Sequence, residues 1–314
     1  MSEMDRDLPE VVVVGAAAVD TIARFEEMPK QDSITFADSC TVYPGGAGAN
    51  VATGLALLGR KAAFFGKLGD DDGGKLLMQA FLQSGVDTRG IRVVAGQRSS
   101  ACFIPVDSHG NRVIYALGGV ALLETANEIE TPLLVSVKAL YIAEAFPEIA
   151  LEVIRCSTSA HPKFFYSPGG VMIWAEKSLL NQVFAQTDVL FVSRSEAETL
   201  SGVTNAEESI KRVADLGPKM VIETVGADGT MIFENGRLVK IPALPPPKIV
   251  DTTGAGDAFA AGVVAGYLEG MGWEESVRLG SAVAAIKIGY LGARSGQPDR
   301  ETVGKFLSEM TRGG

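Results

Sequence analysis

The chain alternates between short apolar runs and longer amphipathic stretches over most of its length. It opens with VVVVG (Val11–Gly15), a continuous β-branched run of the kind buried on both faces of a mostly parallel sheet. VATGLALLG reads as an apolar helix closed by Gly59, AAFFG as a strand, and KLLMQAFLQSG as an amphipathic helix stopped by glycine. From ALYIA onward the order repeats, with ALEVIRC as helix, KFFYS as strand, KSLLNQVFA as helix and DVLFVS as strand. ESIKRVADLG then reads as helix and MVIETVG as strand, and GTMIF and RLVKI pair around Asn235–Gly236. After the break PALPPPK come a strand end at Ile249–Val250, an apolar helix over Ala258–Leu268, the helical WEESVRLGSAVAAIKIG and a terminal helix from Asp299.

Such alternation predicts an α/β fold: a doubly wound, mostly parallel sheet flanked by helices. Two stretches interrupt it, at about residues 18–44 and 95–120, where strand-like pieces follow one another without helices. Within the second, ACFIPVD and RVIYALG flank SHGN as a hairpin. Both stretches are expected to form a small β-lid over the carboxyl edge of the sheet, inside a single domain covering residues 1–314.

With 314 residues, 46% of them hydrophobic and 21% charged, the chain has ample material for one large core. Its 28 Lys and Arg stand against 38 Asp and Glu, a formal charge of −10. No basic stripe interleaved with aromatics offsets that charge, so nucleic acid is excluded as a partner. No apolar run is long enough to span a bilayer, and the polar, acidic opening MSEMDRDLPE lacks the order of a signal peptide. Cys40, Cys102 and Cys156 have no CxxC spacing, which fits a reducing cytoplasm. With only His109 and His161, a zinc site or a Ser-His-Asp triad is not expected.

The chemistry concentrates in IVDTTGAGDAFAAGVVAGYL. Gly254 and Gly256 permit a sharp turn and close approach of a ligand to the amides of Gly254, Ala255 and Gly256. Those amides point outward at the positive end of a helix dipole, which suits an anion and, in particular, a phosphoryl group in transfer. Asp257, in the first turn, could accept the proton of an attacking hydroxyl. The plainer alternative is a helix cap. An almost wholly apolar helix implies deep burial, however, and a buried carboxylate is costly without partners or function.

A second glycine cluster, PGGAGANVATG, also opens a helix. There Gly45 and Gly46 allow close backbone approach, and Asn50 offers both a donor and an acceptor to sugar hydroxyls, or is satisfied internally. Asp20, just past the first strand, could hold two vicinal hydroxyls or be an ordinary turn residue. GLALLGRK lacks the Ser/Thr of a P-loop and lies at a helix end, and GAAAVD lacks the glycines of a dinucleotide site. Acidic residues near Glu128–Glu130 and Glu196–Glu208 read as solvated helix faces, and Trp174 and Trp273 as packing residues. Glu144, after ALYIA, reads as an exposed loop carboxylate, with a substrate contact on the lid side as the alternative.

With both glycine clusters in order, the chain resembles the ribokinase-like (PfkB) family of carbohydrate and nucleoside kinases over essentially its full length. DTTGAGDAFAAG is similar to the family's second signature and PGGAGANVATGLALLG to its first. The resemblance implies an anion hole at Gly254, Ala255 and Gly256, a catalytic base at Asp257, and substrate contacts at Asp20, Gly45, Gly46 and Asn50. It further implies that ETVGADG brings Thr224, Gly226 and Gly229 to ATP, and that VSRSEAETLSG brings Ser193 and Glu196 towards Mg²⁺ and phosphate, with Ser193 where asparagine is usual. Asp251 could help hold a monovalent cation such as K⁺, though an acidic turn residue explains it equally. The implied activity is transfer of the γ-phosphate of ATP to a small sugar such as a pentose or ketohexose. A nucleoside kinase is the runner-up, and a catalytically inactive ligand-binding homologue the reading from another class. Ala18 and Ala47 stand where strict ribokinases carry polar sugar contacts, and SPGG (Ser167–Gly170) resembles microbial nucleoside kinases, which leaves the sugar open. Family members often dimerise through the lid, which the stretch at 18–44 permits.

Overall fold

A computed structural model describes residues 8–29, 31–32, 34–109, 112–157, 159 and 161–312. The first half runs β1 (Val11–Gly15), β2 (Ala18–Arg24), β3 (Ser39–Gly45), α1 (Ala47–Leu57), β4 (Ala62–Gly69), α2 (Asp72–Ser84), β5 (Ile91–Val94), β6 (Ala101–Val106) and β7 (Tyr115–Ala116). Next come β8 (Ala139–Ala143), α3 (Pro147–Ser157), β9 (Lys163–Ser167), α4 (Gly169–Met172), α5 (Lys177–Gln186), β10 (Val189–Ser193), α6 (Arg194–Ser201) and α7 (Ala206–Ala214). The chain closes with β11 (Met220–Thr224), β12 (Thr230–Glu234), β13 (Arg237–Ile241), α8 (Ala255–Leu268), α9 (Trp273–Lys287) and α10 (Arg300–Arg312).

Nine strands form one sheet in the order β13-β12-β11-β10-β9-β8-β1-β4-β5, parallel except where β12 and β13 turn back at the edge. Strand order reverses between β1 and β8, and the crevice beyond the carboxyl ends of such a pair is where open α/β sheets bind ligands. Along β1 the side chains alternate between layers: Val11 and Val13 join the core under α1, α8 and α9, while Val12 and Val14 join the core under α3, α5 and α7. Local signals set the helix ends. The Asp71 carboxylate accepts from the Gly74 amide at 2.8 Å to cap α2, and Gly85 ends that helix in the left-handed region.

The two interruptions form a separate four-stranded sheet, β3-β2-β6-β7, in which β2 pairs antiparallel with β3 and parallel with β6. The hairpin expected around SHGN is present as β6 and β7, with Gly110 and Asn111 at its tip outside the described residues. Other expectations need correction. Ile249–Val250 is not a strand, because the proline run before it removes ladder donors and the amides of Val250 and Asp251 donate instead to the Ile288 carbonyl (2.8 and 3.1 Å) at the end of α9. Trp174 does not pack but is 76% exposed, whereas Trp273 stacks on Tyr267 as a core residue would. Glu128 is not a solvated face either: it caps a short 3₁₀ turn and meets the buried Lys67 ammonium at 2.6 Å. Glu196 does lie on a helix, α6, yet it is half-buried rather than solvated, its carboxylate turned back to the Ser193 amide.

Candidate active site

The two glycine clusters, distant in sequence, meet where the small sheet joins the large one. The first starts at the end of β3 and runs straight into α1, so that Asn50 sits on the opening turn of that helix. The second precedes α8, whose N-cap Gly254 has φ 75°, a left-handed conformation that a side chain would strain. Asp257 is the third residue of α8, and Asn50 Nδ2 donates to its Oδ2 at 2.7 Å.

That bond is held in place by residues the sequence did not single out. Arg294 Nε donates to Asn50 Oδ1 at 3.0 Å, and its Nη2 donates to the Gly45 carbonyl at 2.7 Å. Gln297 Nε2 donates to the Asn50 carbonyl at 3.1 Å. The buried guanidinium also lies 5.0 Å from the Phe81 ring centre. Asn50 therefore has its amide oxygen committed to a cation, which leaves its N–H₂ side for the Asp257 carboxylate.

Asp20, on β2, is buried against Gly45 of the neighbouring strand: a Cβ added to Gly45 would lie 2.0 Å from Asp20 Oδ2. Glycine there is what lets the first cluster pass this carboxylate. Burial pushes Asp20 up to about 6; the Arg294 charge opposes that rise and the Asp257 charge adds to it. Burial likewise raises Asp257 to about 6, against the Asn50 hydrogen bond and the charges of Lys287 and Arg294. Glu144, immediately after β8, is the third member. It is not an exposed loop carboxylate: its backbone is left-handed (φ 54°), which folds the side chain back into the crevice, and burial with the nearby Asp257 and Glu196 lifts it to about 7. Three carboxylates raised in one crevice, one of them on a strained backbone, are the pattern of a working site rather than of a packed core.

Two cavities adjoin at the mouth of α8. One, of about 170 Å³, is lined by Ala47, Glu144, Ser193, Glu196 and Asp257 among others. The other, of about 380 Å³, has apolar walls that include Ala243, Leu244, Pro246 and Ile288, with Gly226, Gly229 and Ala255 at its edge. Thr224, Gly256 and Phe259 line both. Of the three amides expected to cradle phosphate, that of Ala255 donates to the Thr252 carbonyl at 3.1 Å, closing the turn. Ser193 and Glu196 form a capping box on α6, the Glu196 carboxylate accepting from the Ser193 amide at 2.7 Å. Asp251 lines neither cavity; its carboxylate turns inward to the Thr253 amide and hydroxyl (2.9 and 2.7 Å) and the Gly292 amide (2.8 Å), which hold it below the usual range against the effect of burial.

The structure thus brings Asp20, Gly45, Gly46, Asn50 and Asp257 together, and sets Thr224, Gly226 and Gly229 around the adjoining cavity. Sequence reasoning missed Arg294, Gln297 and Lys287. Their setting, GARSGQP and the last turn of an amphipathic helix, carries no spacing that marks them.

The pattern of the pfkB family of carbohydrate kinases matches residues 8–300. A nucleoside kinase from Methanothermobacter thermautotrophicus is 28% identical over 310 residues, covering 98% of each chain. A cytidine kinase from Thermococcus kodakarensis is 30% identical over 275 residues, 86% of this chain and 93% of that protein. Among solved structures, Arabidopsis thaliana ribokinase complexed with ribose and ATP superposes with a TM-score of 0.84 at 27% identity, covering 96% of this chain and 99% of the other.

Proposed function

Because the chain belongs to the pfkB family of carbohydrate kinases, we propose that it transfers the γ-phosphate of ATP to a hydroxyl of a small sugar, a pentose or ketohexose, with Asp257 as the base. It is a phosphotransferase acting on the alcohol of a sugar or nucleoside. The observation that carries the finer reading is the junction at Gly256, which lines both an acidic cavity and an apolar one, with the Asp257 carboxylate one residue further on.

In this reading the nucleotide base lies against Leu244, Pro246 and Ile288, and its phosphates reach Gly226, Gly229 and Thr224. The sugar enters beside Glu144 and Asn50, with Asp20 closing the site from the small sheet, which acts as a lid excluding water. Asp257 takes the proton of the attacking hydroxyl as that oxygen bonds to the γ-phosphorus. The bond from phosphorus to the β–γ bridging oxygen breaks, and ADP leaves. Amides of the Gly254–Gly256 turn, at the positive end of α8, stabilise charge on the phosphoryl oxygens; Gly254 and Gly256 are the ready donors, since that of Ala255 holds the turn. At pH 7 a carboxylate near 6 is ionised and still basic enough to act.

Among the described residues no group of three or more His, Cys, Asp or Glu is arranged to hold a metal by itself. Mg²⁺ fits this site nonetheless, since it is commonly bound through one or two carboxylates, water and substrate phosphates, and Glu196 and Asp257 line the same cavity. When bound it neutralises phosphate charge.

A nucleoside acceptor is the second reading. It is favoured by Ala47, Phe191 and Phe259 in the wall of the acceptor cavity, and by the relatives that carry that name. We further propose a homodimer through the small sheet and the connection between β2 and β3, in which Ile34 and Phe36 are 90% and 87% exposed. A cytoplasmic setting fits three free thiols, and among the described residues no helix is long and apolar enough to cross a membrane.

The test is Asp257→Asn assayed with a panel of pentoses, ketohexoses and nucleosides. ATP binding is expected to persist while turnover on the best acceptor falls at least about 100-fold. Turnover near that of the parent would remove Asp257 from the role of base; ATP binding with no acceptor phosphorylated by the parent would favour an inactive homologue.

A further inference from the structure

The turn that leads into α8 is tied from beneath by a side chain the proposed reaction does not use. Lys287, the last residue of α9, has no exposed surface, and its Nζ donates to the main-chain carbonyls of Asp251 (3.2 Å) and Thr253. Around it the same segment is fastened repeatedly. The amides of Val250 and Asp251 donate to the Ile288 carbonyl, Gly292 donates to the Asp251 carboxylate at 2.8 Å, and Arg112 meets that carboxylate at 3.4 Å.

A fully buried ammonium is expensive unless its charge is answered. Here main-chain carbonyl dipoles and the nearby Asp251 and Asp257 answer it, although burial still draws its proton affinity down. Carbonyls converging in a dry site beside a carboxylate are also what a partly dehydrated monovalent cation requires. Ammonium and K⁺ have the same charge and similar size, so one arrangement of oxygens cannot hold both at once. The monovalent cation implied for Asp251 by the family resemblance therefore does not fit here: a tethered ammonium already sits on the carbonyls.

We propose that Lys287 is a built-in cation, a positioning residue that fixes the Asp251–Thr253 carbonyls and through them the Gly254–Gly256 turn, so that the enzyme works without exchangeable K⁺. This rests on reading that turn as the phosphate cradle. A salt-dependent setting of the turn is replaced by a covalent one, registered by the end of α9.

The test titrates K⁺, NH₄⁺ and Na⁺ against a bulky organic cation at constant ionic strength, reading both kcat and Tm. For the parent, kcat is expected to change less than about twofold, no more than screening alone would give, and Tm not to respond specifically to K⁺. Lys287→Ala opens a carbonyl-lined space. Its kcat is expected to fall roughly 10- to 100-fold without small cations, as for a modest misplacement of catalytic groups, and to recover in K⁺, NH₄⁺ or methylammonium, which also raise its Tm. Lys287→Met fills the space without charge and is expected to stay slow in every salt. Activation or specific Tm stabilisation of the parent by K⁺ overturns the proposal, as does a folded Ala variant indifferent to all three cations. If the Ala variant does not fold, the parent titration decides alone. A Tm response in the Ala variant without a kcat response would keep the cation site and count against the phosphate-cradle reading.

Discussion

Glu144 should destabilise the protein that carries it. Its carboxyl is raised from 4.5 to about 7 by burial and by the charges of Asp257 and Glu196. The native state thus holds this proton more tightly than the unfolded chain. Between about pH 4.5 and 7 the unfolded chain binds fewer protons than the native one, so stability falls as pH rises, and above 7 the penalty is complete. At 1.36 kcal/mol for each tenfold change in proton affinity, the rise from 4.5 to about 7 corresponds to about 3 kcal/mol, and relaxation around the crevice brings the expected effect to about 1–3 kcal/mol. Glu144→Gln, which keeps the shape and removes the charge, should therefore raise urea-unfolding stability by that amount at pH 8 and by almost nothing at pH 4.5. Part of the penalty is mutual repulsion with Asp257, so Glu144→Gln and Asp257→Asn together should gain less than the sum of the single changes. A Gln variant no more stable than the parent at pH 8, or stabilised equally at both pH values, would show that Glu144 is not held ionised in a desolvated crevice. A gain in stability accompanied by loss of activity is the trade-off expected of a group retained for function.

The remaining expectations concern the base and the assembly. Turnover of the parent should decline below about pH 6 as Asp257 becomes protonated, and Asn50→Ala, which deletes a hydrogen bond that favours the ionised form, should move that limb to higher pH while leaving the plateau at pH 8 less affected. An unmoved limb in kcat against pH would detach it from Asp257. Phe36→Glu should convert the proposed dimer to a monomer by light scattering, and a parent that is already monomeric at micromolar concentration would rule out an interface through the small sheet and its β2–β3 connection.

Much of the large sheet was legible because its strands are continuous β-branched or aromatic runs that only burial on both faces explains, and because helix stops such as Gly85 are local backbone requirements. The turn before α8 was legible for the same reason, since glycine at 254 answers a demand of its own φ. The small sheet was expected as a β-lid, but its first stretch could not be divided into strands because β3 is largely exposed and shows no alternation. Ile249–Val250 looked like a strand by side chain, but the prolines before it decided the backbone. Arg294 bonds to residues 244 and 249 positions away, a relation no local pattern can carry. Lys287 in a last helical turn resembles a cation placed for the helix dipole, and only the packing reveals that it points inward. Glu144 was misjudged because a left-handed residue at the end of a strand reverses the direction an extended chain would have given it.

The Asn50–Asp257 bond joins residues 207 positions apart, and the guanidinium that orients it comes later still. A ribosome-bound chain that has made only its first strands and α1 therefore holds Asn50 but neither Asp257 nor the Arg294 guanidinium that orients it. The junction of the two glycine clusters can close only after α8 and the segment carrying Arg294 have been added to the chain. Deleting the segment from residue 290 onward should accordingly leave a protein that keeps much of its sheet yet is silent as an enzyme.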